Sequence, residues 1–303
     1  MNVFVSDAGP VRTVTISRPE ALNALTPALL TEIGDARDAA VSDESVRVVV
    51  LTGEGRAFSA GVDLKALGES GVDGGDVSGS LNDPARRVTE LLSTMPKVTI
   101  ARVNGFCFTG ALELALACDL MVVAEDAKLG DTHAKFGLRP TWGMSARLVR
   151  LVGLARAREL SYTARTFTGA EAAAMGMAVR AVPLDGLDAA VAELTDAIVE
   201  NSPDSISTYK DLYRNQQDRG LSDGLAFEYG ADYDMSGASD RVAGFGSSRT
   251  SWRERISEAS RRRSSSGERI ALKSSSCARS PSSARPSRAA VRTADRALPR
   301  SND

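Results

Sequence analysis

The sequence is short of the residues that most often announce a catalytic or binding centre. It has one histidine, three cysteines, two tryptophans and 5% aromatic residues among 303. Cys107, Cys118 and Cys277 are too few and too scattered for a disulfide framework or a zinc site, so no metal is expected. Such cysteine usage fits a reducing, cytoplasmic compartment. No apolar run approaches the roughly 20 residues that a membrane-spanning helix needs, so no membrane partner is expected. The first residues lack a basic stretch followed by an apolar one, which argues against a secretory signal. There is no GxxxxGK[ST] and no GxGxxG, which removes the phosphate-loop and dinucleotide-binding readings.

What is present is an ordinary globular composition, 43% hydrophobic and 25% charged, enough for a sizeable core. The formal net charge of −2 hides an asymmetry. Residues 247–303 hold 14 basic and 5 acidic residues, a net +9, which leaves about −11 for the rest. That tail is mostly Arg, Ser, Ala and Pro without a periodic apolar face, and its composition predicts disorder. A basic arm for RNA is the alternative, but aromatics are almost absent from it, so nucleic acid is not the expected partner.

The hydrophobic pattern alternates strands with helices. Residues 11–16 read as a strand, with residues 3–5 as hairpin partner across Gly9-Pro10. Thr26 can cap a helix that places Leu29, Leu30, Ile33 and Ala36 on one face. Residues 46–51 (VRVVVL) read as a buried strand broken by Thr52-Gly53-Glu54-Gly55. Residues 68–80, rich in Gly, Ser and Asp, read as a mobile surface loop before a helix over 84–95. A strand over 98–103, an apolar helix over 110–117 and a strand over 120–124 follow, and the chain is then mostly helical to about residue 233. This order implies an α/β architecture with parallel strands.

Two segments carry the chemistry. Residues 56–65 (RAFSAGVDLK) follow a buried strand, where open α/β folds place ligands. Residues 104–113 (NGFCFTGALE) also follow a strand and open a helix, whose N-terminus offers free N–H groups. Together, two such loops can aim N–H donors at one oxygen that becomes negative during reaction.

The segments SRPEALNAL (17–25), GRAFSAGVDLKAL (55–67) and ARVNGFCFTGALELALACDLMVVAEDAKLG (101–130) resemble the crotonase superfamily, the enoyl-CoA hydratase/isomerase family, in order, spacing and residue type. The resemblance runs from about residue 11 to 245. It implies a spiral of ββα units over residues 1–195 and a helical C-terminal trimerisation region over 196–245, ahead of the tail at 246–303. It implies an acyl-CoA substrate, no resident cofactor, and a homotrimer or hexamer. The oxyanion hole would be the N–H groups of Val62 and Gly110. Ala60, Val62, Asp63, Leu64 and Lys65 would line the coenzyme A path, with Ala21 and Leu22 near its adenine end.

In hydratases that resemble this chain, two glutamates move the protons. One corresponds to Glu113; the position of the other is taken by His133, the single histidine. Glu113 sits beside apolar Leu112, Leu114 and Ala115 and suits general acid/base duty. An imidazole can donate or accept a proton at neutral pH. A Glu113/His133 pair can therefore add water to a 2-enoyl-CoA, Glu113 holding the water and His133 serving Cα. It can equally move a proton between carbons, as an isomerase or epimerase does. Asp131 is a candidate third acid. Trp142 reads as packing or as a wall of the acyl pocket, Cys107 and Cys118 as core, and Asp119 as a helix-end residue bonding backbone. A non-catalytic acyl-CoA- or RNA-binding relative is the reading from another class, supported by the basic tail alone.

Overall fold

The computed structural model describes residues 2–70, 72–73, 75–77 and 79–247. The basic tail from residue 248 on, with Cys277, lies outside them. Strands β1 (Val3–Ala8) and β2 (Val11–Ile16) form the predicted hairpin, turning where Gly9 takes φ 58°. Helix α1 (Pro27–Ser42) starts as expected: the Thr26 hydroxyl accepts the Leu29 N–H, and Pro27 opens the helix, where its missing N–H costs nothing. Its buried face holds Leu29, Leu30 and Ile33.

The next segments repeat one plan. Strand β3 (Val48–Gly53) leads to β4 (Ala57–Ser59) and α2 (Leu64–Ser70), then to the small pair β5 (Val72–Asp73) and β6 (Asp76–Val77) and to α3 (Gly79–Thr94). Strand β7 (Val98–Val103) leads to β8 (Phe106–Phe108) and α4 (Gly110–Ala117). Strand β9 (Leu120–Ala124) leads to β10 (Lys128–Gly130), a helical turn (His133–Phe136) and α5 (Met144–Val152). The first members pair side by side in a six-stranded sheet, β1-β2-β3-β7-β9-β12, parallel from β2 onward. The second members pair in a four-stranded sheet, β11-β10-β8-β4. Each ββα unit thus lies beside the last, which is the expected spiral. All six β3 residues are buried, as in a parallel strand covered on both faces.

Helix α6 (Leu154–Thr163), strand β11 (Phe167–Thr168), helix α7 (Gly169–Ala174) and strand β12 (Arg180–Val182) complete the sheets. Helices α8 (Leu187–Val199), α9 (Pro203–Gln216), α10 (Leu221–Gly230) and α11 (Ala238–Ser247) make the C-terminal region helical. Asp119 anchors α9 to β7: its Oδ2 accepts the Thr99 N–H at 2.8 Å and pairs with Lys210 Nζ at 2.7 Å.

Three local expectations need correction. Among the described residues of 68–80, α2 extends to Ser70, β5 and β6 pair, and α3 begins at Gly79. Helix α3 therefore starts before the predicted residue 84 and carries Pro84 inside it, because Leu81, Asn82, Ala85, Val88 and Leu92 bury a continuous face. Tertiary burial outweighs the signal of Pro, Gly and Ser. Strand β3 runs through Thr52 and Gly53 because both stay paired with β2.

Candidate active site

Two adjacent parallel strands, β4 and β8, bring their following loops to one place. Gly61 has φ 95°, and a Cβ there would lie 2.4 Å from Thr109 Oγ1 and 2.7 Å from the Phe108 carbonyl oxygen. Only glycine lets the two loops meet this closely. Around Val62 the chain is pinned on one side: the Leu25 N–H donates to the Gly61 carbonyl at 2.8 Å, and the Asp63 N–H to the Leu25 carbonyl at 2.9 Å. The Val62 N–H is left without an acceptor among the described residues.

On the other loop, Thr109 sits at φ 46°, ψ −114°, an unfavourable backbone for a β-branched residue. It is held there by its N–H donating to the Gly130 carbonyl at 2.9 Å. This sharp turn makes Gly110 the first residue of α4, and its N–H likewise lacks an acceptor among the described residues. The two N–H groups picked out from sequence are thus both free, on touching loops.

The other residues assigned to the substrate path lie beside them. The Ala60 N–H donates to the Leu22 carbonyl at 2.9 Å, which ties the Ala21-Leu22 segment to the first loop. Leu22 and Asn23 both take positive φ, and buried Asn23 holds the turn by donating to the Glu54 and Ala57 carbonyls. Asp63 is committed to structure: Oδ1 accepts the Lys65 and Ala66 N–H groups at the start of α2, and Oδ2 pairs with Arg18 at 3.2 Å. Burial pushes its carboxyl up, but these N–H and Arg18 contacts outweigh burial and hold it below the usual range. Leu64 opens α2, and Lys65 is exposed.

Glu113 stands one turn into α4 and is 1% exposed. Its Oε1 accepts the backbone N–H groups of Trp142 and Met144, both at 3.0 Å. Its Oε2 lies 3.5 Å from His133 Nε2. His133 is 8% exposed, and its Nδ1 lies 2.6 Å from Asp131 Oδ1. Asp131 Oδ2 accepts the Ser161 hydroxyl at 2.7 Å. The structure therefore brings Glu113 and His133 together and places Asp131 behind the imidazole.

Burial alone would lower the His133 pKa; the contacts with Asp131 and Glu113 override it and raise it to about 9. His133 is then an imidazolium at neutral pH. For Asp131, burial raises the pKa, but the hydrogen bonds from His133 and Ser161 outweigh it and hold the carboxyl below its usual value. Asp131 is thus an anion at neutral pH and not a third acid.

Trp142 does the packing expected of it and more. Its ring covers Gly110 so closely that a Cβ there would meet it at 2.3 Å. Its Nε1–H donates to Asn82 Oδ1 at 2.8 Å, which also accepts the Thr141 hydroxyl at 2.9 Å. The sequence reading missed Asn82, Ser161 and the Met144 N–H. Asn82 fell between the loop read over 68–80 and the helix read over 84–95, and no local pattern links Ser161 to a residue thirty positions earlier. Cys107 is fully buried and Cys118 half-buried, and burial pushes both thiols well above their ordinary pKa. Neither is an activated nucleophile. A cavity of about 670 Å³ lies at the other end of α4, lined by Leu116, Met121, Leu151, Tyr209 and Tyr213, and holds neither Glu113 nor His133.

Comparison with known proteins gives the same picture. Residues 7–256 match the family described as enoyl-CoA hydratase/isomerase. A short-chain-enoyl-CoA hydratase of Clostridium acetobutylicum is 34% identical over 228 residues, 75% of this chain and 86% of the relative. The crystal structure of an enoyl-CoA hydratase from Bacillus anthracis aligns with a TM-score of 0.70 at 32% identity, covering 76% of this chain and 88% of that one. A Thermobifida fusca structure solved in complex with CoA aligns with a TM-score of 0.68 at 30% identity, covering 81% of this chain and 95% of that one. Ordered motifs, the ββα spiral and these likenesses agree: the chain belongs to the enoyl-CoA hydratase/isomerase family.

Proposed function

We propose that the protein adds water to a 2-enoyl-CoA, with Glu113 as general base and His133 as general acid beside an oxyanion hole made by the Val62 and Gly110 N–H groups. The observation that carries this reading is the 3.5 Å pair of Glu113 Oε2 and His133 Nε2, together with two N–H groups that lack acceptors among the described residues. The thioester oxygen accepts from Val62 and Gly110, which stabilises the charge that develops as the enolate forms. Glu113 Oε2 takes a proton from water as its oxygen bonds to Cβ. The imidazolium Nε2–H then protonates Cα. The CoA-bound relative supports a coenzyme A thioester as substrate. On the family resemblance, Ala60, Val62, Asp63, Leu64, Lys65, Ala21 and Leu22 would line its path.

The same pair favours a second reading. Two groups that exchange a proton directly can also move one between carbons, as an isomerase does. One assay separates the two readings. Hydration of crotonyl-CoA removes the conjugated thioester absorbance, and we expect that loss. A 3-enoyl-CoA that gains absorbance, with no loss from crotonyl-CoA, would show isomerisation instead. The RNA-binding reading rests on the tail outside the described residues.

Tyr209 and Tyr213 on α9 are 57% and 66% exposed, and Tyr229 on α10 is 79% exposed. These exposed rings support self-association, and the family resemblance makes a homotrimer, or a hexamer built from trimers, the working assembly. Among the described residues no helix is long and apolar enough to cross a membrane. The free thiols of Cys107 and Cys118 support a cytoplasmic placement.

A further inference from the structure

We propose that Asp131, His133 and Glu113 form a single proton relay, in which Asp131 is a positioning residue and Glu113 returns its proton directly to His133. The proposal rests on the hydration reading above and adds how the site resets after each turnover.

The direction of the relay follows from the contacts. Asp131 Oδ1 is 2.6 Å from Nδ1, and a carboxylate only accepts, so Nδ1 carries a hydrogen whether the ring is charged or neutral. Nε2 is then the nitrogen that gains and loses the proton, and it is the one facing Glu113 Oε2 at 3.5 Å. On Glu113 the choice is equally narrow. Oε1 is occupied by the Trp142 and Met144 N–H groups, which leaves Oε2 to take a proton. Asp131 is itself fixed from two sides, by the Ser161 hydroxyl of α6 at 2.7 Å and by the His133 backbone N–H at 3.3 Å.

The protons balance within this array. Hydration leaves Glu113 protonated at Oε2 and His133 neutral, with a lone pair at Nε2. The Oε2–H bond then breaks as the Nε2–H bond forms, restoring carboxylate and imidazolium. One water has been consumed and no proton has been exchanged with solvent. An imidazole side chain only 11% exposed and a carboxylate side chain 1% exposed favour this internal return over exchange with bulk water. The charges bearing on the ring are Asp131 from its own loop and Glu113 from α4, while α6 contributes the neutral Ser161 hydroxyl. Asp131 is thus the anion that keeps the imidazolium stable when Glu113 becomes neutral.

His133 is the single histidine of the chain, so its ring signals in an NMR pH titration need no assignment. In the full-length protein, Asp131→Asn keeps an acceptor for Nδ1–H and removes the charge. We expect His133 to titrate about one pH unit lower or more in that variant. The alkaline limb of kcat should move by the same amount, with kcat down roughly 10²-fold and KM nearly unchanged. Asp131→Glu should recover part of the titration shift. If Asp131→Asn leaves the titration and the alkaline limb in place, Asp131 is merely structural and the relay is wrong. Should that variant not fold, Asp131→Ser, which also removes the charge, is read instead: a downward shift supports the relay, and no shift overturns it. A wild-type enzyme that leaves crotonyl-CoA unchanged, yet shows the high His133 titration, refutes the hydration reading and the relay while keeping the Asp131–His133 pair.

Discussion

Glu113→Gln is expected to lower kcat for crotonyl-CoA hydration by roughly 10³-fold or more, the scale of losing a positioned general base. The loss should fall on kcat with little change in KM, because Glu113 Oε1 is turned to the Trp142 and Met144 N–H groups and away from binding. The glutamine carbonyl oxygen can still accept both N–H groups, so the loop after the His133 turn stays anchored to α4. What disappears is the carboxylate proposed to take a proton from water. Steady-state kinetics with a thermal melt check this: a variant that melts near the wild type and keeps normal turnover would remove Glu113 from the mechanism.

Gly110→Ala is expected to cost roughly 10²-fold in kcat/KM, the scale of losing one oxyanion donor. The added methyl would meet the Trp142 ring at 2.3 Å, with further ring atoms at 2.9 and 3.0 Å. The ring cannot yield alone, because its Nε1–H is held by Asn82 and its backbone N–H by Glu113. Relief must shift either the start of α4, which carries the Gly110 N–H, or the loop whose Trp142 and Met144 N–H groups hold Glu113. Overpacking of this kind also costs about 1–3 kcal/mol of stability. A Gly110→Ala enzyme of undiminished kcat/KM would mean that the Gly110 N–H does not touch the thioester oxygen.

Much of the frame was legible in the sequence because it rests on strong local signals. The β2 and β3 strands follow from runs of β-branched residues, and α1 from Thr26 and Pro27 at its start. The loop glycines were legible because close approach admits nothing larger, as Gly61 against Thr109 shows. The small sheet was not, because strands of two or three residues, such as β4, β8 and β10, carry no readable period. The residues that support the Glu113–His133 pair from behind were hidden for another reason. Ser161 on α6 and Asn82 on α3 reach the site through tertiary packing, and neither stands in a local pattern that points to it. His133 was visible as a departure from the two-glutamate plan, but its charge depends on Asp131 and Glu113 lying on either side of the ring.

That charge gives the most direct test, the pH dependence of kcat/KM for crotonyl-CoA, which reports the groups of the free enzyme. The acid is the imidazolium, present below the His133 pKa of about 9 and lost above it. A pKa raised on folding also means that the stability this charge contributes is whole below about 6.5, the unfolded value. It fades as pH rises through about 9, so melting must be followed in parallel. The prediction is a rate that holds across neutral pH and falls about tenfold per unit above about 9, with that limb missing from the residual activity of His133→Gln. A wild-type profile flat well beyond that pH, or the same limb in His133→Gln, would contradict the assignment of His133 as the acid that completes hydration.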